Sequence, residues 1–191
     1  MQVEATAIPD VKLVRLIAHG DERGLFAEVW DKAKFADQGI REEWVLQGLS
    51  RQNRAGTIRA LHFQTPPQAQ AKLVRVARGR ALDVAVDLRV GSPTYGRHVA
   101  VELSAEGWEA LYIPVGFAHG FCALEDGTEL NYLLSAPYSP ECNHLGLLWN
   151  DPNLGIPWPV AESEAILAPR DRTFPRLKDL PEVFRYQGAG P

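Results

Sequence analysis

The sequence predicts an all-β, jelly-roll-like barrel or sandwich. Three observations carry that expectation. Short β-branched or alternating runs recur along the chain, Gly, Pro, Ser and Asp punctuate them, and helical periodicity is weak. In order, strands are expected over Val11–Ala18, Thr57–Gln64, Lys72–Ala77, Ala81–Val90, His98–Leu103, Ala110–Val115, Gly120–Leu124 and Glu129–Leu134. The alternation is cleanest in the fourth run, where Leu82, Val84, Val86 and Leu88 share one face and Ala81, Asp83, Ala85 and Asp87 the other. A Pro-Pro turn follows the second run. Helix is expected only at Lys32–Gln38, with one further turn near Leu180–Phe184. From Asn150 the chain is rich in Pro and Trp and reads as an irregular arm over the barrel. Eight or more short strands with turn signals between them suit an antiparallel barrel.

No repeat, low-complexity tract or linker divides the chain, so a single domain is expected over residues 1–191. A chain of this length buries about 70% of its unfolded surface, enough for a sizeable core. The net charge is -4, yet from Arg51 to Arg80 there are seven Arg or Lys and no Asp or Glu. A cationic stretch on an acidic chain points to a local anion site, not to general polyanion binding, so no nucleic-acid partner is expected. The first residues lack a basic cluster followed by an apolar core, so no signal peptide is expected. No apolar run approaches the roughly 18 residues of a membrane helix, and a cytoplasmic protein without a membrane partner is expected. Cys122 and Cys142 show no C-x-x-C spacing and read as reduced thiols.

His62 is the first candidate for chemistry. Alternation over Ile58–Gln64 sets Ile58, Ala60, His62 and Gln64 on one face, against Arg59, Leu61 and Phe63. Small and polar residues on one strand face suit a barrel interior that holds a ligand. A histidine there serves either as a general base, being mostly neutral at pH 7, or as a structural residue bonded to a backbone carbonyl. A base needs an orienting partner. Asp83, Asp87 and Asp171 are the candidates, and spacing does not choose among them.

Several stretches together resemble the dTDP-4-dehydrorhamnose 3,5-epimerases, cupin-type enzymes of sugar nucleotides. They are D-E-R-G-L-F-A-E at 21–28, R-A-L-H-F-Q at 59–64, K-L-V at 72–74, D-V-A-V-D-L-R at 83–89, I-P-V-G-F-A-H-G-F at 113–121, T-E-L-N-Y-L-L-S at 128–135, A-P-Y-S-P at 136–140 and A-I-L-A-P-R-D-R-T-F-P at 165–175. The resemblance implies a cupin-like jelly roll with His62 as base, Asp171 as its partner and Tyr132 as the acid on the opposite face. It also implies that Lys72 stabilises an enolate at the sugar ketone, that Tyr138 stacks on the nucleotide base, and that His119 joins the same pocket. Arg23, Phe26 and Glu28 are implied to contact the nucleotide, often from a neighbouring subunit. Arg23, Arg59 and Arg170 suit the diphosphate, since a guanidinium donates two parallel bonds. Strict alternation aims Arg59 away from His62, so a bulge or a subunit crossing is required. Gln47 and Asn143 fall at substrate-contact positions.

The chain departs from the family pattern at Ala60, Leu49, Asn143 and Leu133, which bear on substrate choice more than on His62, Asp171 and Tyr132. The implied reaction is cofactor-free conversion of dTDP-4-dehydro-6-deoxyglucose to dTDP-4-dehydrorhamnose at C3 and C5, by a homodimer. The alternatives are a 3- or 5-mono-epimerase of a related keto-sugar nucleotide and a non-catalytic sugar-nucleotide-binding jelly roll. The five histidines include no H-x-H with a carboxylate nearby, so no metal is expected.

Overall fold

The computed structural model describes residues 1–188; the last three residues of the expected domain lie outside the described residues. The first strands are β1 (Gln2–Ala5), β2 (Lys12–Arg15), β3 (Ala18–Asp21) and β4 (Gly24–Ala27), followed by helix α1 (Lys32–Asp37). Next come β5 (Leu46–Arg51), β6 (Ile58–His62), β7 (Lys72–Arg78), β8 (Arg80–Asp87) and β9 (Arg89–Val90). Then follow β10 (His98–Ser104), β11 (Glu109–Ile113), β12 (Phe117–Ala123), β13 (Glu129–Leu134) and β14 (Phe184–Arg185).

Two antiparallel sheets form the body. One has six strands in the order β1-β2-β11-β7-β13-β5, and the other has four in the order β10-β8-β12-β6. Between them lies an apolar cluster that includes Val74, Val76, Leu103, Leu111, Ile113, Phe117, Phe121 and Leu130. The alternation read in β8 holds in the fold. Ala81 and Ala85 face this interior, while Val84 and Val86 face a second cluster built with Trp149, Leu154, Ala165 and Phe184 of the C-terminal arm. The four-stranded sheet is thus buried on both sides, and each fully buried Val or Leu contributes about 1.5–3 kcal/mol. A third cluster, including Phe35, Ile40, Leu73 and Tyr112, covers the outside of the six-stranded sheet beneath α1.

Helix α1 starts where Asp31 accepts from Lys34 N at 2.9 Å, a side-chain N-cap that satisfies one orphan donor. The turn expected near Leu180–Phe184 is displaced: a 3-10 turn occupies Leu177–Asp179, and Phe184–Arg185 pairs in parallel with β9. Pro181 lacks the N–H that would continue such a turn, so the turn closes before it. Val11–Ala18 is interrupted after Arg15, and Ala81–Val90 after Asp87. Four strands carry no clear apolar alternation and were not expected: β1, most of β3, β4 and β5. Both cysteines are buried free thiols.

Candidate active site

The site begins at an irregularity in β6. His119 of β12 faces His62 and Phe121 faces Arg59, so a two-residue step on β12 opposes a three-residue step on β6. The extra residue is a β-bulge, which re-aims side chains. Ile58, Ala60 and Leu61 all pack into the cluster under the arm, while Arg59 and His62 both line the pocket. This corrects the expected face of Ile58, Ala60 and His62, because strict alternation does not survive an inserted residue. The bulge also supplies the device that Arg59 requires to join His62. The methyl of Ala60 therefore packs beside Gly120, where an added Cβ would come within 2.4 Å of the Ala60 Cβ. A glycine in β12 is what admits the close approach of β6.

His62 Nε2 lies 2.9 Å from Asp171 Oδ1, across 109 residues of sequence. Asp171 is only 2% exposed and sits in a 3-10 turn, Pro169–Arg172, that packs on β6. An ionised carboxylate only accepts, so Nε2 carries the hydrogen and Nδ1 keeps the basic lone pair. Of the three candidate acids, Asp171 alone reaches His62. Asp83 receives His119 Nε2 at 3.0 and 3.1 Å. Asp87 is fully buried and tied to Arg89, Ser92 and Thr94.

A chamber of about 250 Å³ joins Arg59, His62, Lys72, His119 and Tyr132, with Ser50 and Phe121 beside them. Burial lowers the Lys72 ammonium from the usual lysine range to about 8, against the pull of the Asp83 charge. No carboxylate lies within ion-pair distance of Lys72 among the described residues. Burial likewise holds His119 below its ordinary value; Asp83 opposes this, and Lys72 and His62 add to it. Burial first, and then the Asp83 charge, push the Tyr132 phenol upward, so it is a neutral proton donor at pH 7. Tyr132 meets His119 edge-on with ring centroids 6.2 Å apart.

The adjoining, larger part of the pocket, about 580 Å³, shares Arg59, His62, Gln70 and Lys72 with the chamber and adds Tyr138, Asn143, Arg170 and Asp171. Tyr138 is 59% exposed and accepts from Asn143 Nδ2 at 3.3 Å, and Arg170 donates to the Asn143 carbonyl at 3.4 Å. Among the described residues of the lining the only carboxylate is Asp171, already bound to His62, and Arg59, Lys72 and Arg170 give the wall a positive balance. Among the described residues no group of three or more His, Cys, Asp or Glu is arranged to hold a metal ion.

The sequence model of the family described as dTDP-4-dehydrorhamnose 3,5-epimerase matches residues 5–179. The chain belongs to that family. It is 46% identical to a dTDP-4-dehydrorhamnose 3,5-epimerase of Sinorhizobium fredii, over 97% of this chain and 94% of the relative. Among solved structures, it is similar to the dTDP-6-deoxy-D-glucose-3,5-epimerase from Legionella pneumophila in complex with dTDP-4-keto-L-rhamnose, at TM-score 0.92 and 37% identity, covering 98% and 99% of the two chains. It is also similar to the Bacillus anthracis dTDP-4-dehydrorhamnose 3,5-epimerase with TDP and PPi bound, at TM-score 0.88 and 42% identity, covering 92% and 98%. The family's members are isomerases, and the chain has their cupin-like jelly roll.

Not every candidate of this epimerase-family chain meets in the pocket. Arg23, Phe26 and Glu28 lie on the β3–β4 hairpin, where Arg23 pairs with Asp21 and Glu28 with Lys34. Gln47 is exposed on β5 and lines a separate cavity with Trp30, Arg75 and Asn131. The pocket and its surroundings also contain groups that the sequence did not single out. Ser50 and Gln70 carry no motif signal. Phe174 meets the His62 ring edge-on at 5.9 Å and 77°, and only its place three residues after Asp171 hints at it.

Proposed function

We propose that the chain epimerises a nucleotide-diphosphate 4-keto-6-deoxy sugar, converting dTDP-4-dehydro-6-deoxyglucose to dTDP-4-dehydrorhamnose at C3 and C5. The single observation that carries this reading is the His62–Asp171 pair at 2.9 Å, opening on a chamber that also holds Lys72 and Tyr132. The C4 ketone acidifies the protons on both neighbouring carbons. His62 Nδ1 removes one of them, and Asp171 stabilises the imidazolium formed. The electron pair moves to O4, where the Lys72 ammonium meets the developing charge. Tyr132 returns a proton to the carbon from the opposite face, and proton exchange with solvent resets both residues. Both carbons conjugate to the same O4, so one oxyanion site serves two inversions. Arg59 and Arg170 hold the diphosphate and Tyr138 stacks on the base.

The working unit in this reading is a homodimer of single-domain chains in the cytoplasm. Phe26 and Leu49 are 67% and 64% exposed, and a second copy both covers such apolar surface and carries Arg23 and Glu28 toward a neighbour's pocket. Among the described residues no helix is long and apolar enough to cross a membrane. The test is proton NMR in D2O with the 4-keto sugar nucleotide, wild type beside His62→Ala. Loss of the C3 and C5 proton signals with wild type alone is the expected result. Exchange at one carbon selects a mono-epimerase, and binding without exchange removes the enzyme claim for this sugar.

A further inference from the structure

Phe174 stands at a junction that none of the proposed proton-transfer steps uses. Its ring and that of His62 lie in a T-shaped arrangement, with centroids 5.9 Å apart at 77°. The Arg170 guanidinium lies over the same ring, 5.2 Å from its centroid. Arg170 in turn donates to the Asn143 carbonyl, and Asn143 Nδ2 donates to Tyr138 Oη. A single aromatic ring therefore meets the base and also seats the first residue of a chain of contacts running to Tyr138.

The backbone is shaped to receive that ring. Gly146 forms an isolated antiparallel bridge with His62, and a Cβ added at Gly146 would come within 2.4 to 2.6 Å of three Phe174 ring carbons. Gly146 has no positive φ, so the need for glycine there arises from the ring and not from the backbone. The strand partner of the base is thus kept bare so that an aromatic side chain can lie against it.

We infer that Phe174 is a positioning residue that fixes the His62 imidazole for proton removal and the Arg170 guanidinium for diphosphate binding, with Gly146 as its seat. Among the described residues Asp171 is the one hydrogen-bond partner of the His62 ring, and a single hydrogen bond leaves the ring some freedom to tilt. The edge contact from Phe174 removes that freedom, which matters because a base must sit within hydrogen-bond reach of the carbon acid at a defined angle. The cation over the ring restricts Arg170 in the same way, and it does so without a carboxylate that would compete with the phosphates. Arg170 does approach Asp171 Oδ1, but at 3.8 Å and with Asp171 committed to His62.

The inference rests on the reading of His62 as the base, and the experiment keeps the two apart. Phe174→Leu keeps apolar bulk and removes both ring contacts. An edge-on aromatic contact is worth up to about tenfold in rate, and a part-exposed cation–π contact about two- to fivefold in binding. Phe174→Leu is therefore expected to lower kcat about three- to tenfold and to raise KM for the sugar nucleotide about two- to fivefold. Arg170→Met is expected to raise KM alone. Gly146→Ala is expected to reproduce both effects with Phe174 present and to add nothing in the Phe174→Leu background, since the ring it displaces is gone. Phe174→Met replaces the leucine variant if that fails to fold. Wild-type kcat and KM in Phe174→Leu, or an undiminished Gly146→Ala loss in that background, overturns the inference. His62→Ala separates the premises: if it retains turnover the base assignment falls, and if it is inactive while Phe174→Leu behaves as wild type, only the role of Phe174 falls.

Discussion

Lys72 is the residue whose environment makes the sharpest statement about pH. It faces His62, Arg59, Asp83, His119 and Tyr132, and burial brings its ammonium down to about 8. A cation that stabilises an enolate is lost as pH rises through that value, so kcat is expected to fall above pH 8, and pH–rate profiles check it. Lys72→Met is expected to lose about a hundredfold or more in kcat, and its residual rate to lack that alkaline limb. The same group acts on stability with a definite sign. Its folded value lies below the unfolded 10.5, so between about pH 8 and 10.5 the unfolded chain binds more protons and stability rises with pH. Thermal melts across that window test this, and the rise is expected to vanish in Lys72→Met. At this scale the sequence exposed residue types well and partnerships poorly. Short-range alternation named His62, but whether Asp83, Asp87 or Asp171 meets it depends on contacts closed over more than a hundred residues. Local spacing holds no information about such closures, and the motif resemblance was needed to favour Asp171.

Among the elements, β6 and β5 show what periodicity does and does not reveal. Alternation predicted β6 but misassigned its faces, since one inserted residue exchanges the sides of Ala60 and Arg59. The tight crossing it creates is testable. Gly120→Ala is expected to cost about 1–3 kcal/mol by overpacking against Ala60, read as a lowered melting temperature. Ala60→Gly in the same chain is expected to restore part of it; the rest persists because the new methyl would still lie 3.0 Å from the Arg59 carbonyl. Strand β5 was missed for a different reason. Its side chains do alternate in burial, but the inward set is Leu46, Gly48 and Ser50 while Leu49 points to solvent. A strand that lines a polar chamber and borders an exposed apolar surface inverts the usual pattern, so its function hides its structure. The arm was legible as irregular, yet its anchors were not. Asp151, buried, accepts from Leu177 N at 2.8 Å and from Asn153 N at 3.0 Å, and Asp151→Ala is expected to cost about 1–3 kcal/mol by leaving those donors unpaired, again read by thermal unfolding.

For the whole molecule, the homodimer proposed above would make activity a question of assembly through the exposed hairpin bearing Arg23 and Phe26. If a second copy supplies those residues, specific activity is expected to fall on dilution below the dimer dissociation constant. Arg23→Ala is expected to raise KM several-fold with little change in kcat, which steady-state kinetics beside light scattering will show. The division of labour across the fold carries a further consequence. His62, Lys72, Asp83, His119 and Tyr132 all stand on strands of the two packed sheets, with Asp171 as the one contribution from the arm. Tyr138, Asn143, Arg170 and Phe174 stand on the segments outside those sheets. Stiff strands tolerate little displacement, whereas surface segments accept replacement. A lineage of such enzymes is therefore free to exchange its nucleotide by editing Tyr138, Asn143 and Arg170, so long as Gly146, Asp171 and Phe174 stay as they are, and a laboratory that wishes to retarget this one has its library positions already marked.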